Sequence, residues 1–228
     1  MGPGKFDAEL LLDGKGFRPD GTTAATLIPP AFGLAGVNLH TWTGWGSIPH
    51  WNAFVATLEM HGKGTFVDSR LSDPTQFPVA ARAGFDNVRN DPDLGSSKLP
   101  SLHAYQLALS APTAPRNTYS EAGAARGKAV FEVSGCGSCH VSPTFTEPGG
   151  NMHSGQELGI DDFQADRAPS KAYRTAPLKG LWTHAKGGSY HDGRFATLMD
   201  VINHDDVQLA LHLSRLDKSD LVQYLNSL

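Results

Sequence analysis

The sequence predicts a mainly α-helical protein with long loops and little strand structure. Two stretches carry helical signals. Residues 121–132 follow Ser120 as a candidate N-cap, and residues 218–228 follow Asp217. The 25 Gly and 15 Pro among 228 residues indicate that extended loops connect the helices.

Composition excludes several classes of protein. Apolar residues make up 39% of the chain, and a net charge of −4 argues against nucleic-acid binding through a broad basic face. We expect no membrane span, because the longest apolar stretch, at residues 27–37, is interrupted by Pro29 and Pro30. The two cysteines lie in one cluster, which excludes a disulfide-stapled scaffold.

That cluster, Cys136-Gly-Ser-Cys139-His140, is the most specific motif in the chain. A pair of buried cysteines leaves the adjacent histidine unexplained, and a structural zinc site needs four ligands where no second CxxC occurs. A redox-active CxxC is a third interpretation, but no alternating strand and helix pattern surrounds it. Covalent attachment of haem c explains both thiols and the histidine, with His140 binding the iron. We therefore expect one covalent haem per chain.

The predicted helices flank this motif. Gly135 ends the first helix immediately before the cluster, and Gly127 within that helix calls for close packing. The second helix has one apolar face that carries Tyr224. We expect Tyr224 to pack on the first helix near Gly127 and Phe131.

From about Gly127 to the end, the sequence resembles the C-terminal haem c domain of the bacterial di-haem cytochrome c peroxidase superfamily. That superfamily includes the enzymes that mature methylamine dehydrogenase. The runs that carry the resemblance are residues 127–131, 136–140, 145–148, 173–178, 180–182, 190–198 and 200–204. It implies a helical cytochrome c-type domain at residues 116–228, with redox chemistry toward peroxide or a partner protein.

The sixth ligand of the iron differs from the family pattern, because Asp205 stands where relatives place Met or Tyr. A carboxylate is a poor substitute for either donor. The candidates are His204 first, Met199 second and Met152 third, or an open position. The family position of His191 implies hydrogen bonding near the haem. The other candidates downstream of His140 are His153, His184 and His212.

Two further residues are assigned to the haem surroundings. Arg194 is a candidate partner of a haem propionate, because a guanidinium matches a carboxylate with two hydrogen bonds. Trp182 is expected to form part of an apolar wall that keeps water from the iron.

Residues 1–115 contain no cysteine, yet they weakly repeat the pattern of the second half. Leu102, Tyr105 and Leu109, for example, have the same spacing as residues 221, 224 and 228. We interpret residues 1–115 as a haemless or truncated cytochrome-like helical domain. Residues 86–97, rich in Asn, Asp, Pro and Gly, are predicted to form a surface loop.

The function expected from these features is electron transfer by one haem c. The alternative is a peroxidase-like oxidoreductase, with Asp205 or His204 as acid/base group. A thiol-redox or metal-binding module is the third hypothesis. We expect as partner a redox protein or another haem domain. The periplasm is the expected location, since haem c is attached outside the bacterial cytoplasm, although residues 1–4 carry no export signal.

Overall fold

A computed structural model describes residues 4–184 and 187–228. Residues 1–3, part of the opening stretch predicted to carry no export signal, lie outside the described residues, as do residues 185 and 186. The described chain is mostly helical with two small sheets, which confirms the mainly α prediction. Its α-helices are α1 Leu10–Asp13, α2 Ile48–Phe54, α3 Pro78–Ala83, α4 Leu99–Ala108, α5 Glu121–Val133, α6 Cys136–Cys139, α7 Gly155–Leu158, α8 Phe163–Arg167, α9 Leu198–Gln208 and α10 Arg215–Ser227. A π-helical turn, Val55–Glu59, continues α2.

Each sheet has two antiparallel strands. The first joins β1, Lys5–Phe6, to β2, Thr26–Leu27. The second joins β3, Thr65–Val67, to β4, Asn87–Arg89. The prediction of a surface loop over residues 86–97 is therefore wrong for its first part, where Val88 is paired with Phe66 of β3. Among the described residues, no helix combines the length and the apolar character needed to cross a lipid bilayer.

The two predicted helices are present, with one correction. The hydroxyl of Ser120 accepts from the Gly123 N–H at 3.1 Å, as expected for the N-cap of α5. Helix α10 begins earlier than predicted, and its N-cap is Ser214. Asp217 is instead the third helical residue, and its carboxylate accepts from the Ser214 N–H at 3.0 Å. The two residues form a reciprocal capping box.

Helices α5 and α10 cross with almost no gap at Gly127. A Cβ on this glycine would overlap the carbonyl oxygen of Asp220. One turn further along, the rings of Phe131 and Tyr224 pack edge to face with centroids 5.3 Å apart. The Arg126 guanidinium donates twice to the Asp220 carboxylate, each time at 2.7 Å. The expected packing of Tyr224 is confirmed.

Buried apolar side chains form two clusters. The larger contains Leu12, Trp45, Leu58, Phe54, Phe66, Leu71, Phe77, Ala80 and Ala168. The smaller contains Phe131, Ile202, Leu221, Tyr224 and Leu225. All members of the larger cluster except Ala168 come before position 115 in the sequence, and all members of the smaller cluster come after it. The division into domains at residues 1–115 and 116–228 stays a prediction.

The repeat predicted in the first half does not extend to burial. Tyr105 on α4 is 62% exposed, whereas Tyr224, its counterpart in the pattern, is 8% exposed. Helix α4 therefore does not use its apolar residues as α10 does. The two sets of residues have the same spacing in the sequence, but Leu221 and Tyr224 of α10 are buried while Tyr105 of α4 faces solvent.

Arg167 joins the two halves of the chain through a buried ionic network. Its side chain is 1% exposed and lies at the end of α8. The guanidinium bonds to both oxygens of Asp13, at 2.8 and 3.0 Å. It also donates to Asp7 at 3.1 Å, and Glu9 lies 3.3 Å away. Three carboxyl groups from the start of the chain thus surround one cation.

We predict that Gly127→Ala destabilises the fold, because a methyl group cannot enter the crossing of α5 and α10 without moving one helix. The expected loss is about 1–3 kcal/mol or more in the free energy of unfolding. Urea denaturation of purified protein measures it. Gly150→Ala is the matched control, since nothing lies within 4 Å of its Cβ; its effect should stay within about 0.5 kcal/mol. Equal effects of the two changes would contradict the close crossing.

Candidate functional site

The end of α5 positions the cysteine cluster. Gly135 adopts a left-handed conformation, with φ of 81°, and turns the chain directly into α6. Cys136 and Cys139 are the first and last residues of that single helical turn, so they lie on the same side of it. Both are free thiols and half-buried. Cys136 also packs against the smaller apolar cluster.

The electrostatic surroundings of the thiols do not activate them. Burial raises the pKa of Cys136, and the nearby charge of Asp205 raises it further. Burial also raises the pKa of Cys139, where Glu147 adds to the effect. A redox-active CxxC pair needs the opposite shift, because the thiolate is the attacking form. The site therefore disfavours thiol-redox chemistry.

Backbone carbonyls, of Phe145 and Ala176, act on the imidazole of His140. Its Nδ1 lies 3.1 Å from the carbonyl oxygen of Phe145. Because a carbonyl only accepts, Nδ1 must donate, and in the neutral ring Nε2 then carries the lone pair. Burial lowers the pKa of His140, against the effect of nearby backbone carbonyls, and so favours the neutral ring. This tautomer suits a metal ligand.

The ring of Phe131 lies beside the His140 imidazole. The centroid of Phe131 lies 6.4 Å from the imidazole and 6.4 Å from the ring of Phe145. Trp182, predicted to be a wall residue, is half-buried, and its indole N–H donates to the carbonyl of Pro112 at 3.1 Å. Its neighbour Leu181 is the residue that packs against the smaller cluster.

Arg194 is already paired with carboxylates of this chain. Its guanidinium donates to Asp192 at 2.7 Å and to Asp161 at 2.5 Å. A haem propionate would have to share the guanidinium with these two groups. The predicted role of Arg194 as a propionate partner stays a prediction.

The leading candidates for a sixth ligand lie on α9. The Nε2 of His204 donates to the carbonyl oxygen of Leu158 at 2.8 Å, which leaves the lone pair on Nδ1. Its ring packs against Phe195 at 4.7 Å between centroids. Met199 is half-buried on the same helix. Met152, the third candidate, lies instead beside Gly44 of the first half, with both Sδ and Cε 3.1 Å from a Cβ built there.

Tyr190 and Asp205 form a pair that the motif did not predict. The phenol donates to Asp205 Oδ1 at 2.7 Å. Burial raises the pKa of Asp205 even though the bond from Tyr190 lowers it. The charge of Asp205 also contributes to the raised pKa of Cys136.

Three other histidine candidates differ in their surroundings. His191 is 2% exposed and stacks on Tyr173 with centroids 4.8 Å apart, while His212 is exposed. His153 bonds to Glu147 through Nε2 at 2.5 Å and to Glu157 through Nδ1 at 2.8 Å. Donor atoms of Cys139, Glu147 and His153 lie within 4.8 Å of one another. Sequence analysis missed both glutamates, since no spacing rule links them to the cysteines.

Comparison with known proteins adds little. No family model matches the chain, and no curated protein matches it. Among solved structures, it is similar to a chain of hydrazine synthase from Kuenenia stuttgartiensis, in a structure pressurised with 20 bar xenon. The two are 26% identical, with a TM-score of 0.38. The match covers 57% of this chain and 55% of the hydrazine synthase chain, and a likeness this low decides neither fold nor function.

We predict that Glu147→Gln lowers the pKa of His153. Burial lowers this pKa, but the bonds to Glu147 and Glu157 outweigh burial and raise it overall. A raised folded-state pKa means that protonated His153 stabilises the fold at low pH. That contribution disappears as the pH rises through the folded-state pKa. NMR titration of the ring protons measures the change, with Glu132→Gln as a control that should leave the pKa unaltered. An unchanged value in Glu147→Gln would contradict the hydrogen-bonded pair.

Proposed function

We propose that this protein is a c-type cytochrome that transfers electrons through one covalently attached haem. The observation that carries the proposal is the hydrogen bond from His140 Nδ1 to the Phe145 carbonyl, directly after the cysteine pair. A histidine that binds a metal through one nitrogen commonly donates through the other to a backbone carbonyl. Here that arrangement follows a CxxCH motif.

The donor set fits the group. Cys136 and Cys139 would form the two thioether bonds, and both are free, half-buried thiols on one side of α6. His140 would bind the iron through Nε2. The smaller apolar cluster lies against Cys136 and would help to keep water away from the bound group.

When bound, haem supplies an iron that gains or loses one electron. The surrounding residues set the free energy of that change. The carbonyl of Phe145 keeps His140 in one orientation and increases its basicity. Phe131 and Phe145 limit the solvent around the ring, and an apolar surrounding raises the reduction potential. A sixth ligand with an imidazole nitrogen would hold the potential lower than one with a thioether sulfur.

The partner and location follow from this proposal alone. An electron-transfer protein requires a redox partner protein or another haem domain to deliver and accept electrons. Attachment of haem c outside the cytoplasm supports a periplasmic location. The cytochrome c-type domain at residues 116–228, and the haemless cytochrome-like character of residues 1–115, belong to the same proposal.

One observation favours the alternative, a peroxidase-like oxidoreductase. Asp205 is a half-buried carboxyl group that accepts a hydrogen bond from Tyr190, and its charge acts on the thiol of Cys136. Burial raises its pKa and keeps a proton on the group to higher pH than usual. An acid/base group next to a reacting ligand is what peroxide chemistry needs. A ferric haem that is high-spin and binds peroxide would favour this function.

We predict that covalent attachment depends on both cysteines. Protein expressed with the cytochrome maturation machinery should have the mass of the polypeptide plus one haem. Replacing both Cys136 and Cys139 with Ala should give the mass of the bare polypeptide under denaturing conditions. Ser138→Ala, between the cysteines, is the matched control and should retain the haem. A colourless wild-type protein with the bare polypeptide mass would refute the proposal.

We predict that His204 provides the sixth ligand through Nδ1, since its Nε2 is bonded to Leu158. His204→Ala should convert a low-spin ferric spectrum to a high-spin one. Met199→Ala, on the same helix, should leave the spectrum unchanged. Absorption and electron paramagnetic resonance spectra record both results. If Met199→Ala alone changes the spin state, the assignment to His204 is wrong.

A further inference from the structure

A second site, far from the cysteines in sequence, lies where the start of the chain meets α2 and α8. A cavity of about 240 Å³ opens there, and its lining includes six residues that are aromatic or carry a carboxyl or amide group. They are Phe6, Glu9, Trp42, Trp51, Glu59 and Gln164. None of the described lining residues is Lys, Arg or His. The cavity is smaller than a typical drug-sized pocket and mostly apolar in character.

Several buried polar atoms at this cavity have no partner among the described residues. Gln164 is 4% exposed, and its Oε1 accepts no hydrogen bond. Glu59 Oε1, on the π-helical turn, is likewise buried and unpaired, as is the indole nitrogen of Trp51. Buried polar groups are almost always satisfied, so each of these calls for an explanation. Two of the three are acceptors that need a donor.

Carboxyl groups outnumber cationic groups beside the cavity. Among the described residues, one guanidinium, that of Arg167, faces Asp7, Glu9 and Asp13. Glu9 Oε2 also accepts a hydrogen bond from Gln164 Nε2 at 2.7 Å. Burial raises the pKa of Glu9 to about 8, despite the opposing effect of Arg167. Burial, together with the charges of Asp13 and Asp7, therefore outweighs the guanidinium and keeps a proton on Glu9 at neutral pH.

The aromatic lining selects the type of cation. The indole N–H of Trp42 donates to the carbonyl oxygen of Leu27 at 2.8 Å. Trp42 therefore offers the cavity its aromatic ring and no free hydrogen-bond donor. Aromatic faces attract organic ammonium ions. A hard metal ion needs several converging oxygen atoms. Among the described residues, clusters of three metal-binding side chains occur at Cys139 and at Asp161, not here.

We propose that this cavity binds a small primary ammonium ion that carries an oxygen acceptor next to its amine, such as an amino alcohol. The ammonium group donates to Glu9, Glu59 and Gln164, and the aromatic rings cover its alkyl part. The adjacent oxygen accepts from the Trp51 indole. This site is independent of the haem proposal, because its described lining residues include neither the cysteine cluster nor a candidate iron ligand.

Isothermal titration of the purified full chain with ethanolamine tests the proposal. We expect saturable binding of one ethanolamine per chain. Ethylene glycol, which lacks the charge, should not bind. Glu59→Gln should weaken binding at least about tenfold, since it removes a charged hydrogen-bond acceptor. Glu121→Gln, on the exposed start of α5, is the matched control and should bind as wild type does.

NMR spectra provide a second readout. The indole resonance of Trp51, assigned through its loss in Trp51→Phe, should shift on titration with ethanolamine. If Glu59→Gln fails to fold, Trp51→Phe replaces it in the calorimetry; it removes the indole donor and should also weaken ethanolamine binding. Absence of saturable binding, or equal affinity in the variant and wild type, would overturn the proposal. So would potassium chloride competing at the same concentration as ethanolamine, because the site would then take an inorganic cation.

Discussion

The contact between Gly127 and the backbone of Asp220 is the constraint on which the candidate site depends. Helices α5 and α10 can approach this closely only because residue 127 has no side chain. The approach brings Phe131 against Tyr224 and lets Arg126 reach Asp220. It also fixes how α5, which leads through Gly135 into the turn that carries the two thiols, lies against α10. A small change in the crossing would therefore displace the cysteines.

Around the cysteines, histidines and backbone carbonyls form a consistent pattern. His140 and His204 each donate one ring N–H to a main-chain oxygen, at Phe145 and Leu158. Each ring is left with one nitrogen able to bind a metal. Backbone carbonyls are held by the fold itself, so they orient a ring with little loss of side-chain entropy. Burial raises the pKa of both thiols and so disfavours disulfide exchange.

The sequence predicted the parts of this site that depend on local chemistry. The capping of α5 by Ser120, the packing of Tyr224 on α5 and the cysteine cluster could be inferred from residue types and spacing. Contacts between segments that are distant in the sequence could not be inferred in this way. Nothing local shows that Tyr190 reaches Asp205, or that Val88 pairs in a strand with Phe66. The start of α10 was misplaced because Ser214 and Asp217 are both good caps, and only the backbone shows which one precedes the helix.

The burial of Arg167 has a consequence for how the chain assembles. Its partners Asp13 and Asp7 lie 154 and 160 positions earlier in the sequence. During synthesis these carboxylates emerge long before the guanidinium that they will surround, and they must stay hydrated until then. Pairings over such separations slow folding, because a long loop must close before they form. The first half of the chain can thus reach its final arrangement only after most of the second half has left the ribosome.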